Sequence, residues 1–579
     1  MRVTQNKTSK GTSFYIIRSV SGGSTEIVEK LGTEKEIKDK YHCDDALDWA
    51  KRRAKLLTEK ENESRLKVMV PLQPHLIIER DKARCFNVGY LFLQQIYYEL
   101  RIPGICLSIS KRHAFEYNLN EILSRLVYCR VLYPSSKLST TRFSQRLLEQ
   151  PSFEYQQVQR ALSVIAEESD FIQEKLYKNS AELVPRQTKI LYYDCTNFYF
   201  EIEEEKGMRK YGHNKENRPN PIVQMGLFMD YSGIPLAFVI TDGSQNEQTT
   251  MVPLEKQIMK DFELSNFVVC TDAGLSSAPN RMFNNCGERS FVTTQSLKKL
   301  KKGLQDWALD PRGWKLPGEK GTFDISKIDS TDELRQKNYE KVFYKETFVE
   351  GYDDKRDVSF DQTMFVTYSL KYRDYLRSVR NAQVERARKM IESGESRIER
   401  KGQQDVRRFI NRTSTTKEGE KASRTTYTID QEAIAEEERF DGFYAVCTNL
   451  EADVEDIIRV NRGRWEIEES FRIMKSEFGA RPVYLQRDDR IKAHFLTCFI
   501  ALLVYRILEK KVGDSYTCSQ LVDTLRSMEV TSVGDAGYLP SYTRTALTDC
   551  LHETAGFRTD YELLRKKYMQ GIIRRSKDL

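Results

Sequence analysis

No CxxC pair occurs among the eleven cysteines of this chain, and its six histidines include no HExxH. Structural and catalytic zinc sites draw their ligands from such short spacings, so a zinc centre is not expected. Cys129, Cys270, Cys447 and Cys498 lie in apolar runs. They read as reduced and mostly buried, which fits a cytoplasmic protein. The opening residues, MRVTQNKTSK, contain no apolar core of a signal peptide. The most apolar stretch, residues 495–505, is too short to cross a membrane and suits a buried helix. Neither sign of charge dominates: 92 Lys and Arg against 85 Asp and Glu leave a net charge of +7. That balance permits basic patches for nucleic acid but does not demand them.

What is present is globular. The 579 residues are 39% hydrophobic and 31% charged, and a chain of this length divides into several domains. Residues 1–85 read as a small module, with a hairpin at 13–32 and a helix at 44–60. Residues 86–186 read as helices over 88–100, 118–132 and 161–178, a region suited to binding a DNA end or to packing alone. From 187 to 300 the pattern turns mixed: strands at 189–194, 223–229, 234–240, 267–272 and 291–294, with helices at 247–261 and 278–285. Residues 301–440 read as an insertion containing strands at 342–349 and 364–369, a charged helix at 375–400 and a polar segment at 413–426. The core resumes over 441–510, and 511–579 reads as helical with a basic tail. A KKLKK cluster spans 298–302, suited either to a phosphate backbone or to plain exposure.

Three places concentrate chemistry. Residues 461–478 read NRGRWEIEESFRIMKSEF. On a helical wheel Arg464, Glu468, Arg472 and Lys475 share one stripe, and Glu469 points elsewhere. Ile467, Phe471, Met474 and Phe478 form the neighbouring apolar stripe. Taken alone, this is a surface helix with i,i+4 ion pairs. Two aspartates upstream change its weight. Asp194 closes the apolar run KILYY, and Asp272 closes FVVCT ahead of an Ala-Gly turn. Each alone is a turn or capping aspartate. Three carboxylates brought together repel one another unless a hard cation neutralises them, and magnesium prefers such oxygen ligands.

These segments, YYDCTNFYFE, VVCTDAGLSS and NRGRWEIEESFRIMKSEF, resemble the three acidic motifs of bacterial insertion-sequence transposases of the DDE type. The group concerned carries a tyrosine–arginine–glutamate–lysine signature. Arg464, Glu468 and Lys475 stand at its spacing, and Asn461 stands where the signature has tyrosine. The resemblance runs from about residue 86 to 510. It implies a multidomain α/β protein with a ribonuclease-H-like mixed sheet, a mostly β insertion domain at 301–440, and helical N-terminal and C-terminal regions. It implies that Asp194, Asp272 and Glu468 are catalytic and hold two Mg2+ ions, with Mn2+ able to substitute. Arg464, Trp465, Arg472 and Lys475 would contact DNA. The implied reaction is cleavage at the terminal inverted repeats and transfer of the 3′ ends into target DNA, by a homodimer on double-stranded DNA. No Ser–His or Tyr nucleophile motif competes with it, and no membrane is involved. Two rivals remain: a metal nuclease on the same core without strand transfer, and an inactive DNA-binding descendant.

Overall fold

The computed structural model describes the chain except residues 9–10, 20–24, 42, 44, 65–73, 76, 216–217, 355, 394–404, 415–424 and 579. It divides into two compact units, Met1–Asp81 and Lys82–Leu579. In the first, β1 (Arg2–Thr8), β2 (Gly11–Ser19) and β3 (Thr25–Thr33) form an antiparallel sheet. Helices Glu34–Tyr41 and Ala46–Ser64 cover a small core of Phe14, Ile37, Ala46 and Ala50. The expected hairpin is β2 and β3. The added strand β1 carries a single apolar residue, Val3, so it leaves little pattern to read.

The second unit opens with the short β4 (Cys85–Asn87) and then helices Tyr90–Glu99, Ile102–Ser110, Leu119–Leu132, Tyr155–Glu167 and Ser169–Leu183. The single helix expected over 161–178 is two. Glu168 leaves helical geometry between them, and its carboxylate binds Arg112 and His113, which pins the corner. These helices surround Asp488–Val512, which packs on Tyr90–Glu99, Leu119–Leu132 and Tyr155–Glu167. Among the described residues that is the one helix long and apolar enough to cross a membrane, yet 94% of its apolar window is buried inside the protein. It is a core helix, apolar all round because it is surrounded on all sides.

The central sheet has eight strands. In chain order they begin β5 (Ile190–Tyr199), β6 (Ile222–Asp230), β7 (Pro235–Asp242), β8 (Val268–Thr271) and β9 (Ser290–Gln295). β10 (Phe343–Asp353) and β11 (Val358–Tyr368) follow. A separate hairpin, β12 (Ile410–Ser414) with β13 (Thr425–Ile429), precedes β14 (Phe443–Thr448). The order across the sheet is β10-β11-β14-β9-β8-β5-β6-β7. β5 and β9 flank β8 in parallel, and the other pairs are antiparallel. Every residue of β6 is buried, as expected for a strand covered on both faces.

Two expectations need correction. The 301–440 insertion is not mostly β. Its longest element is the helix Leu370–Glu392, and β10 and β11 extend the central sheet instead of forming a domain of their own. They pair onward to β14 because Met364, Val366 and Tyr368 bury their side chains in the core that holds Ala445 and Cys447. Parts of the expected helix at 375–400 and of the polar segment at 413–426 lie outside the described residues. Nor is the C-terminal region purely helical. Between helices Cys518–Ser527 and Ala546–Ala555, β15 (Glu529–Ser532) pairs with β16 (Tyr538–Pro540) and with β4. The final helix is Lys566–Arg575.

Candidate active site

Asp194 lies within β5, not at its end as the apolar run suggested. β6 pairs with β5 as far as Tyr199↔Ile222, so the strand continues. On its other side the parallel partner β8 pairs only as far as Tyr192↔Cys270. Asp194 therefore sits just beyond the point where one neighbour stops, and the same register carried two residues further meets Asp272. That is a crevice at the carboxyl ends of parallel strands, where open α/β sheets bind ligands. Strand alternation puts Asp194 on the face of Tyr192, Thr196 and Phe198.

Each aspartate is oriented by one carboxylate oxygen. Oδ1 of Asp194 accepts from the Cys195 N–H at 2.7 Å, and Oδ1 of Asp272 accepts from the Leu275 N–H at 3.0 Å in the turn after β8. Burial pushes the Asp194 carboxyl up to about 6, and the charge of Asp272 adds to this, while Lys215 and Arg464 pull the other way.

The signature segment forms two helices, Val454–Arg462 and Trp465–Ser476, separated by Gly463 and Arg464. Arg464 is thus the residue before the second helix and not one inside it. Gly463 permits the close approach to the sheet: a Cβ there would lie 2.0 Å from the Tyr192 hydroxyl. The apolar stripe behaves as the wheel requires, with Ile467, Phe471, Met474 and Phe478 all buried. The Arg464 side chain is 13% exposed and Glu468 is 64% exposed, with Nη2 and Oε1 3.5 Å apart. Nη1 of Arg464 donates to Thr294 Oγ1 of β9 at 3.2 Å. Burial works against the guanidinium charge, and Asp272 and Asp194 are among the groups that outweigh it. Arg464 is therefore a buried cation that pairs with Glu468 and is supported by the charges of Asp272 and Asp194. Asn461 joins the same network. Its amide donates to the Tyr444 hydroxyl at 3.0 Å, and that hydroxyl meets Thr294 Oγ1 at 2.6 Å.

Lys475 reaches back to β5, where its ammonium donates to Thr196 Oγ1. Burial pulls that ammonium down to about 8, and Lys215 adds to the effect. Trp465 is 59% exposed, so it is not a core tryptophan. Arg472 does not reach Glu468. It grips Glu469 through two hydrogen bonds of 2.7 and 2.6 Å, on the part of the helix turned away from the stripe. Lys215 and Glu247 were not singled out from the sequence. Lys215 donates to the Cys195 carbonyl at 2.6 Å and lies 3.5 Å from Glu247. Burial opposes its charge, but Asp194 and Glu247 hold its pKa above the usual lysine value. It stands in an irregular loop, where no periodicity could have marked it.

A second acidic cluster lies near the C-terminus. Asp549, His552 and Asp560 bring one ligand atom each within 4.8 Å of one another, a spacing able to hold a metal ion. Their charges are already balanced. Arg558 spans Asp549 and Asp560 at 2.6 and 2.7 Å, and Arg544 reaches Asp549 at 2.8 Å. Nε2 of His552 accepts from the Thr559 N–H at 3.1 Å. That bond leaves the proton of the neutral ring on Nδ1, the atom facing Asp560 3.5 Å away, so the ring has no lone pair for a metal there.

A sheet crevice holding two aspartates, with a glutamate on the helix beside it, is the arrangement of a metal-dependent nuclease core. The chain belongs to the transposase DDE domain family, whose model matches residues 186–504. A structure of the piggyBac transposase synaptic complex with hairpin DNA is similar over 85% of this chain and 84% of that chain, at 9% identity and a TM-score of 0.34. No curated protein matches the chain.

Proposed function

We propose that this protein is a transposase that cuts at the terminal inverted repeats of its element and joins the freed 3′ ends to target DNA. The observation that supports the reading is the register that brings Asp194 and Asp272 opposite one another where parallel β5 and β8 part, beside Arg464, which pairs with Glu468 at 3.5 Å and donates to Thr294 of the next strand. The donor set is oxygen only. Among the described residues neither aspartate has an ion-pair partner within 4 Å, which suits two Mg2+ or Mn2+ ions. When bound, such ions activate water or a 3′ hydroxyl and stabilise the leaving oxygen in an in-line displacement.

The chain's own residues do the rest. Asp194 and Asp272 present their free oxygens from rigid elements, so little reorganisation is needed. Arg464 exchanges its contact with Glu468 for the phosphate beside the scissile bond, and Lys475 holds the next. Trp465 offers an exposed ring to an unstacked base. Arg472, held by Glu469, contributes charge near the strand and not a direct grip. Two ends must be held together for joining, so the active form is a homodimer on DNA.

The test uses purified protein, Mg2+ and a duplex carrying the repeats that flank the gene. End cleavage with joined products, lost in Glu468→Gln, is the expected result. Cleavage without end preference or joining would make the protein a nuclease on the same core; binding without cleavage would make it an inactive descendant.

A further inference from the structure

Beyond the C-terminal end of the Glu468 helix the chain borders a cavity of about 430 Å³. Four basic side chains line it: Arg481, and the buried Arg130, Lys137 and His494, which are 3%, 5% and 6% exposed. No carboxylate lines it. Two of the three buried ones have a structural explanation. Arg130 donates to the carbonyls of Phe478 and Gly479 at 3.0 and 3.3 Å, in the turn that follows the helix. His494 contacts the Ala480 carbonyl at 3.2 Å. Lys137 has none, because its ammonium is buried with no hydrogen-bond partner. A buried amine without a counter-ion is costly, and folds retain one only where something compensates it. Burial, helped by the charge of Arg130, pulls this one down to about 7, which is the response of a cation left without its anion.

The place of the cavity supplies the anion's source. Val483, on its wall, donates to the Tyr199 carbonyl at the end of the strand that carries Asp194. Tyr484, 63% exposed, and Tyr155, 37% exposed, stand at its border. Exposed aromatics beside a buried cation are the elements of a site for single-stranded or distorted nucleic acid.

We propose that this cavity binds a phosphate group through Lys137, with Arg130 and His494 behind it, and that the phosphate belongs to the DNA strand running from the active site past Tyr484. This rests on the transposase reading for the source of the phosphate, though not for the existence of the site. Binding ties the position of the Glu468 helix to DNA held one step away from the reacting phosphate.

The test uses the full chain in EDTA, where no cleavage can occur. Lys137→Met keeps the length of the side chain and removes its charge. Leu138→Glu, at a 45% exposed position on the cavity wall, leaves the interior intact and sets a negative charge at the entrance. Each should weaken binding of the end duplex about tenfold. Lys137→Met should also lower the slope of log K against log salt by about one, as loss of one phosphate contact does. In parallel, inorganic phosphate should raise the thermal midpoint of the wild type more than chloride of equal ionic strength, and raise it less in Lys137→Met. Loss of the phosphate effect with unchanged duplex binding would keep the site but assign it to free phosphate, overturning the DNA assignment. Unchanged behaviour of both variants on both measurements would overturn the proposal. A wild type that binds no duplex would remove the transposase reading, while the phosphate measurement would still decide the site.

Discussion

Two acidic clusters in this chain invite comparison. Asp549 and Asp560 are each met by a guanidinium at 2.6–2.7 Å, whereas Asp194 and Asp272 have no ion-pair partner within 4 Å among the described residues. The first cluster is complete as it stands. Burial raises the Asp560 carboxyl, but Arg558 and His552 outweigh it and hold it below the usual carboxylate range. The second is incomplete, and burial holds Asp194 above that range, at about 6. Proximity of carboxylates therefore does not by itself mark a metal site. What distinguishes one is carboxylates left without an ion-pair partner on rigid elements, and on that criterion rests our proposal that the crevice at β5 and β8 is the metal site.

The largest effect that could break this contrast is catalytic. Asp194→Asn or Asp272→Asn should lower DNA cleavage by at least about 10²–10³-fold, the loss typical of a group that stabilises transition-state charge. Asp549→Asn should leave cleavage per folded molecule unchanged. A dead Asp549 variant beside an active Asp194 variant, in the same cleavage assay, would exchange the two assignments.

Next in size is stability. Asp560→Asn leaves Arg558 without its most buried partner and should cost about 1–3 kcal/mol in denaturant unfolding. The two clusters should also respond to pH with opposite sign. The folded pKa of Asp560 is depressed, so its contribution is present above about 4 and fades as pH falls. The folded pKa of Asp194 is raised, so its contribution is full below about 4 and is lost as pH rises through about 6. Mg2+ should reverse that loss. Its stabilising effect in thermal unfolding should grow between pH 5 and 7 and vanish in Asp194→Asn. A Mg2+ effect surviving in Asp194→Asn and lost in Asp560→Asn would place the ion at the C-terminal cluster.

The sequence singled out the segments that carry Asp194, Asp272 and Glu468 but not the C-terminal cluster, and the difference has physical causes. The strands through or up to Asp194 and Asp272 and the helix of Glu468 could be read because strands and amphipathic helices have short periods that fix which residues share a face. Ile467, Phe471, Met474 and Phe478 are buried for that reason. The strand through Asp194 was read too short because its second half, Cys195–Tyr199, is held by β6, a partner more than twenty residues away. Arg464 was read as lying inside a helix because nothing local shows that Gly463 must fit against Tyr192. Arg472 was placed with Glu468 on the wheel. Its side chain is long enough to turn to Glu469 instead, three residues away. Lys215 and Lys137 were invisible, since the use of a lysine depends on which distant groups surround it. The mixed character of the insertion was hidden similarly: β10 and β11 are strands anywhere, and only β14 decides which sheet they join.

A smaller effect sharpens the picture of the active-site cations. Burial leaves the Lys475 ammonium at about 8, so its charge is lost as pH rises through that value. Binding of the end duplex should therefore weaken between pH 7 and 9. Lys475→Arg should abolish that dependence, because a guanidinium stays charged throughout. Lys475→Gln should bind weakly at every pH, with a salt slope lower by about one. A pH dependence retained in both variants would assign the titration to another group.

The smallest effects separate two neighbours on one side of the Trp465–Ser476 helix. Trp465 is 59% exposed and has no packing role to lose, so Trp465→Ala should change stability by less than about 0.5 kcal/mol. It should weaken DNA binding by about 1–3 kcal/mol if its ring stacks on a base. Glu469→Gln alters only the exposed pair with Arg472 and should change cleavage and binding by less than about threefold, since such pairs contribute little. The two positions are four residues apart and so lie on the same side of the helix, but Trp465 offers an exposed ring while Glu469 is held by Arg472. Equal losses in both would mean that this side of the helix contributes through its charge and not through the Trp465 ring.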